Sequence, residues 1–167
     1  VSTDSTKSVI SKNIVNNSGA NGIFINSQGS STSAISSNSV NSSTIHGIRS
    51  SSDKDSSNVI SSNIIANSGV HGVYVESLIA SSNTISSNDV NGSGDDGISI
   101  ESYQGSTNKI TSNTISNSED NNIDSNATEA SRITIQNNTF SGSGGKTNVD
   151  GNASTGIVTI DADQLNL

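Results

Sequence analysis

Residues 85–113 read ISSNDVNGSGDDGISIESYQGSTNKITSN, and the opening I-S-S-N returns, with one serine exchanged for threonine, as Ile110-Thr111-Ser112-Asn113. The interval is 25 residues, and Ile10, Ile35, Ile60, Ile85, Ile110, Ile135 and Ile160 keep it without an insertion or deletion. Asn13, Asn38, Asn63, Asn88, Asn113 and Asn138 each follow an isoleucine by three. A period held this strictly marks a chain built by stacking one structural unit on the next.

Composition and phase together exclude both a conventional globule and a disordered chain. With 2 Phe, 2 Tyr, no Trp and no Met in 167 residues, the chain lacks the bulky side chains of an ordinary two-layer core. Few aromatics and a net charge of −8 would suit a disordered segment, yet disorder gives isoleucine no reason to stay in phase. The lack of cysteine removes disulfides and thiolate metal sites. No membrane-spanning stretch is present, and a start at Val1 without a charged-then-apolar leader fits a processed or excised chain. Fifteen acidic against seven basic residues argue against a nucleic-acid partner.

Within a repeat numbered from its isoleucine, positions 1 and 6 are apolar throughout, as in Ile60/Ile65 and Ile85/Val90. Close β-branched residues between turn residues predict short strands rather than helices. A Ser/Gly/Asn turn follows, then an alternating segment such as GVYVE at 72–76 or GISIE at 97–101. Alternation there places positions 14 and 16 inside and 15 and 17 outside. A second polar turn, with serine at position 22 (Ser31, Ser56, Ser81, Ser106, Ser131), leads back to isoleucine. Three strands and three turns make one coil, and stacking coils both pairs the strand backbones and buries isoleucine on isoleucine. The predicted fold is a single all-β domain over residues 1–167, a parallel β-helix of six to seven coils. In the last full coil Asn148 falls where an inward apolar residue belongs and Val149 comes one step late, which predicts a bulge or register slip.

The pattern N-x-I-x-x-N-x-I-x-N-S-G-x-x-G-I-x-I, clearest from Asn58 to Val75, resembles the parallel β-helix repeat of the pectin-lyase-like superfamily. The resemblance covers nearly the whole chain. It implies a right-handed coil with an inward ladder formed by Asn13, Asn38, Asn63, Asn88, Asn113 and Asn138. It leaves function open, because that superfamily includes polysaccharide lyases, hydrolases, epimerases, adhesins and phage spikes.

Chemistry-bearing residues collect on the strand after the glycine turn. His46, His71 and Asp96 share position 12, Arg49, Tyr74, Ser99 and Asp124 position 15, and Glu76 and Glu101 position 17. With coils about 4.8 Å apart these become adjoining columns. Arg49, Tyr74, Glu76, Glu101 and Tyr103 are the candidate polysaccharide contacts. The tyrosines act as platforms and the arginine as partner to a uronate carboxylate. For an enzyme, the acid, base and binding groups would come from His46, His71, Arg49, Tyr74, Asp95 and Asp96. Asp95-Asp96-Gly97-Ile98 looks like the paired-aspartate motif of polygalacturonases, but the chain has no Arg-Ile-Lys triplet, and without proline it has no Pro-His-Asp motif of alginate epimerases. Gly92-Ser93-Gly94-Asp95-Asp96-Gly97 matches a nucleotide-loop pattern, but a strand follows it and its aspartates would repel pyrophosphate. No cofactor is required by any of this. Calcium is the candidate ion, at Asp95, Asp96, Glu119 and Asp120.

Three functions follow in order of fit. The first is a secreted or cell-surface structural or adhesive rod whose copies stack head to tail into a filament, with polysaccharide as a further partner. The second is a polysaccharide-processing enzyme. The third is an ice-facing array on the outward Ser11, Ser36, Ser61, Ser86 and Thr111 column, a test of which is thermal hysteresis.

Overall fold

The computed structural model describes residues 5–142, 144 and 149–161. They form three parallel sheets with strands numbered in chain order. The first sheet stacks β1 (Lys7–Ser11), β4 (Thr32–Ser36), β7 (Ser57–Ser61), β10 (Ser82–Ser86), β13 (Thr107–Thr111), β16 (Arg132–Gln136) and β19 (Ile157–Ile160). The second stacks β2 (Ile14–Asn16), β5 (Ser39–Asn41), β8 (Ile64–Ser68), β11 (Asp89–Ser93), β14 (Thr114–Ser116) and β17 (Thr139–Ser141). The third stacks β3 (Ile23–Gln28), β6 (Ile48–Asp53), β9 (Val73–Ser77), β12 (Ile98–Ser102), β15 (Ile123–Ala127) and β18 (Val149–Ala153). Each strand pairs with those one coil away, so Ile85 faces Ile60 on one side and Ile110 on the other. The expected β-helix of three strands per coil is what the chain forms. No helix among the described residues is long and apolar enough to cross a membrane.

The interior is narrow and filled by columns of identical or similar side chains. Ile35, Ile60, Ile85, Ile110 and Ile135 are fully enclosed, as are Ile48, Val73, Ile98 and Ile123 on the third sheet. One coil encloses only a few such groups, each worth about 1.5–3 kcal/mol, against an ordering cost on the order of 1 kcal/mol per residue. Stability therefore depends on neighbours.

The asparagine ladder is present as expected. Asn88 Nδ2 donates to Asn113 Oδ1 at 3.0 Å and to the carbonyl of Ile60 at 2.9 Å, and the Asn88 backbone N–H donates to the same Oδ1 at 2.9 Å. The same pattern repeats at Asn38, Asn63 and Asn113, with Asn13 and Asn138 at its ends. Residues just before the ladder adopt the left-handed conformation, Ser62 at φ 56° and Ser87 at φ 55° among them. That conformation turns the chain sharply enough to aim the amide inward.

A second polar network lies inside the opposite corner, where the apolar periodicity gives no sign of it. Asn83 Nδ2 donates to Asn108 Oδ1, Ser77 Oγ and Ser52 Oγ at 2.8–2.9 Å. The serines at position 18 face inward because alternation carries past the two apolar positions of the strand, and Ser77 and Ser102 are fully buried.

The predicted register slip is present at Val149. Strand β14 pairs with β17 at the 25-residue interval, Thr114 with Thr139, but β15 pairs with β18 at 26, Ile123 with Val149. One residue is given back before β19, where Arg132 pairs with Ile157. Asn148 lies outside the described residues.

Candidate functional site

Position 12 opens the approach to the third sheet, and its residues form a ladder of their own. The His46 N–H donates to Asn21 Oδ1 at 3.4 Å, the His71 N–H to His46 Nδ1 at 3.4 Å, and the Asp96 N–H to His71 Nδ1 at 3.3 Å. Asn121 closes the series, donating to Asp96 Oδ1 from its N–H at 3.1 Å and from Nδ2 at 3.2 Å. Asn, His and Asp share this column because Nδ1 of histidine stands the same number of bonds from Cβ as Oδ1 of the other two. That equivalence was available in the sequence as the column Asn21, His46, His71, Asp96, Asn121.

Stacking sets the rings. The His46 and His71 rings lie 5.1 Å apart and 2° from parallel. Tyr74 packs against both, at 5.0 Å from His46 and 5.6 Å from His71. At position 15 the Arg49 guanidinium sits between two rings, 5.4 Å from the centre of Phe24 and 5.6 Å from that of Tyr74. Five side chains thus make one continuous surface, of which Phe24 is 53% exposed. Burial, with His71 and Arg49 beside it, lowers the His46 pKa to about 4, so this imidazole is neutral at physiological pH.

Beyond it the face turns acidic. Tyr103 Oη donates to Glu101 Oε2 at 2.6 Å, and that bond, with burial, raises its hydroxyl to about 12. Tyr74 is likewise pushed up to about 12, chiefly by burial and by Glu101. Both tyrosines therefore remain donors. A groove of about 420 Å³ lies around the corner, lined by Asp53, Glu76, Leu78, Ile79, Tyr103, Gln104 and Glu129. Ser99, small and buried, stands between Tyr74 and Asp124 in the column. Burial raises the Asp96 carboxyl above its ordinary value, partly offset by the Asn121 hydrogen bond. Asp124 rises to about 6 through burial and the neighbouring Asp96 and Asp150.

The structure brings Arg49, Tyr74, His46 and His71 together, and Glu76, Glu101 and Tyr103 beside them. His71 meets Asp95 and Asp96, while Asp120 stacks on Asp95 by a backbone bond of 3.1 Å. Glu119 lies apart from that group, lining another groove with Asn67, Ser93 and Asn117. Phe24 does not stand out as a site residue in the sequence, being a lone aromatic, and Asp124, although it belongs to the position-15 column, takes its raised pKa from burial and from neighbours a coil away.

Solenoid, ladder and aromatic surface together define a parallel β-helix with one chemically distinct face. The family model describing the right-handed β-helix region matches residues 1–165, and the chain belongs to that family. No curated protein and no solved structure matches it significantly.

Proposed function

We propose that this chain is a stiff extracellular β-helix rod whose third sheet is a contact face for polysaccharide, and whose copies stack end to end. The observation that carries the reading is the surface of Phe24, Arg49, Tyr74, His46 and His71, running into Tyr103 and the carboxylates of Glu76 and Glu101. Aromatic faces suit the apolar sides of sugar rings, Arg49 suits an acidic sugar, and carboxylates accept from hydroxyls. Several evenly spaced steps along the rod suit a polymer better than a small molecule.

The test is binding to a panel of neutral and uronate-containing polysaccharides. Arg49→Ala and Tyr74→Ala should each weaken capture about tenfold or more, a loss of about 1.4 kcal/mol, whereas Ser61→Ala on the first sheet should leave it unchanged. Failure of the parent protein to bind any member would retire the reading. End-to-end stacking is tested separately, by electron microscopy of concentrated protein, and a uniform field of single short rods would exclude it.

A second reading rests on the raised carboxyls of Asp96 and Asp124 beside Ser99. A carboxyl raised to about 6, as at Asp124, suits a general acid, and a polysaccharide-processing enzyme would use it so. Release of reducing ends or unsaturated products from a uronate polymer, abolished by Asp124→Asn, would support it over simple binding.

A further inference from the structure

We propose that His71, Asp95 and Asp96 form a site for one divalent transition-metal ion of the zinc type, held by one imidazole nitrogen and two carboxylate oxygens. The three ligand atoms lie within 4.8 Å of one another. Nδ1 of His71 stands 3.5 Å from Asp96 Oδ2 and 3.9 Å from Asp95 Oδ2. In the ladder this Nδ1 is an acceptor of the Asp96 N–H, so three lone-pair-bearing atoms converge. No lysine or arginine among the described residues forms an ion pair with either carboxylate.

Burial supplies a second, separate mark. Asp96 is only 5% exposed. Its Oδ1 is taken by Asn121, while Oδ2 faces the imidazole, 3.5 Å from His71 Nδ1. A carboxylate so enclosed is costly in its charged form unless a positive charge meets it. Metal bonds of about 2.0–2.2 Å in a tetrahedral site set ligand atoms about 3.3 Å apart. The 3.5 Å pair is near that already, and Asp95, half exposed, needs only a small side-chain turn to close the 3.9 Å gap. The ion takes the Nδ1 lone pair that otherwise accepts the Asp96 N–H at 3.3 Å, so binding exchanges this ladder bond for a metal bond.

The ligand set chooses among ions. Calcium takes six to eight oxygens, whereas imidazole with carboxylate suits zinc and its neighbours. The stack on His46, 2° from parallel, holds the imidazole plane in advance. The outer side of the site stays open to water at Asp95, and a ligand oxygen could enter there. Glu119 and Asp120 contribute no ligand atom to this group.

The experiment titrates EDTA-dialysed protein calorimetrically with zinc chloride and, separately, calcium chloride. One zinc per chain should bind, more tightly than calcium. His71→Asn and Asp96→Asn should each weaken zinc at least about tenfold, while Glu119→Gln and Asp120→Asn stay within about twofold. Both site variants keep a side-chain acceptor at the ladder position, as Asn21 and Asn121 do, so the coil should persist, and circular dichroism checks that it does. If a variant fails to fold, imidazole NMR of the parent decides: zinc should move the His71 resonances first, and movement of His46 alone would overturn the site. So would absence of zinc uptake, preference for calcium, or undiminished binding in both folded site variants.

Discussion

Asn88 shows what a single residue does here: it is almost fully buried, and its amide joins three coils through the Ile60 carbonyl, the Asn113 oxygen and, on its own oxygen, the Asn63 donors. Replacing it by alanine should cost about 1–3 kcal/mol, because those partners stay buried without it. Asn91, three residues on, is exposed, and its Oδ1 accepts from Ser116 and Asn117 where water can substitute. Asn91→Ala should cost under about 0.5 kcal/mol, and equal losses in urea unfolding would misplace the ladder. Asp124 makes a different prediction. Its folded pKa of about 6 lies above the ordinary 3.8, so the folded chain keeps a proton that the unfolded chain releases. Stability thus falls as pH rises through that window, and at neutral pH the native state carries the ionised group against Asp96, Asp150 and Glu101. Asp124→Asn should stabilise the protein at neutral pH by on the order of 1 kcal/mol, after discount for the group's open side. Below about pH 4 it should do little. An identical gain at both pH values would assign the effect to packing instead of charge.

The turn before the third sheet is the element with least room. At Gly72 an added Cβ would stand 2.2 Å from Val90 Cγ1 and 2.7 Å from the Gly97 carbonyl oxygen in the coil above. Gly72→Ala should therefore cost about 2 kcal/mol or more, while Gly19→Ala, with nothing within 4 Å, should be neutral within about 0.5 kcal/mol. Thermal unfolding of the two variants makes the comparison. Gly22, Gly47, Gly72 and Gly97 share this column, but the fifth coil has Asn122 there, fully buried, and the coil stacked on it is the one whose register shifts. The late arrival of Val149 made that shift legible in the sequence, as the 25-residue isoleucines made the fold legible, because both are statements about phase. What phase cannot report is which polar residues face inward past the last apolar one, so the Asn83 and Ser77 corner was missed. Nor does phase say that His46 and His71 would accept backbone hydrogen bonds as asparagines do. The columns of Arg49, Tyr74 and Glu101 followed from position alone. The acidity at Asp124 depends on burial and on carboxylates one coil to either side, which single-coil reading underweights.

At the scale of the whole molecule the chain is a one-dimensional stack, each coil touching only the coils beside it. Ile85 contacts neighbours on both faces, Ile60 and Ile110, whereas Ile10 in the first described coil pairs with Ile35 alone and is only half-buried. Ile85→Ala should cost about 3–4 kcal/mol, near the middle of the range for such truncations, and Ile10→Ala about 1 kcal/mol. A sharper test asks whether damage travels. Ile35 and Ile135 are fully buried in the same column but four coils, about 19 Å, apart. Their alanine substitutions share no partner, so the double variant should show additivity within about 0.5 kcal/mol. Ile60 and Ile85 stand directly one above the other, and the second truncation enlarges a cavity the first has opened. That pair should couple by about 0.5–3 kcal/mol. Native-state hydrogen exchange on each single variant should show the loss of protection concentrated in the truncated coil and its two neighbours. Coupling between the distant pair as large as between the adjacent one would mean that the rod transmits strain along its whole length and unfolds as a single block, and the nearest-neighbour account of its stability would fail.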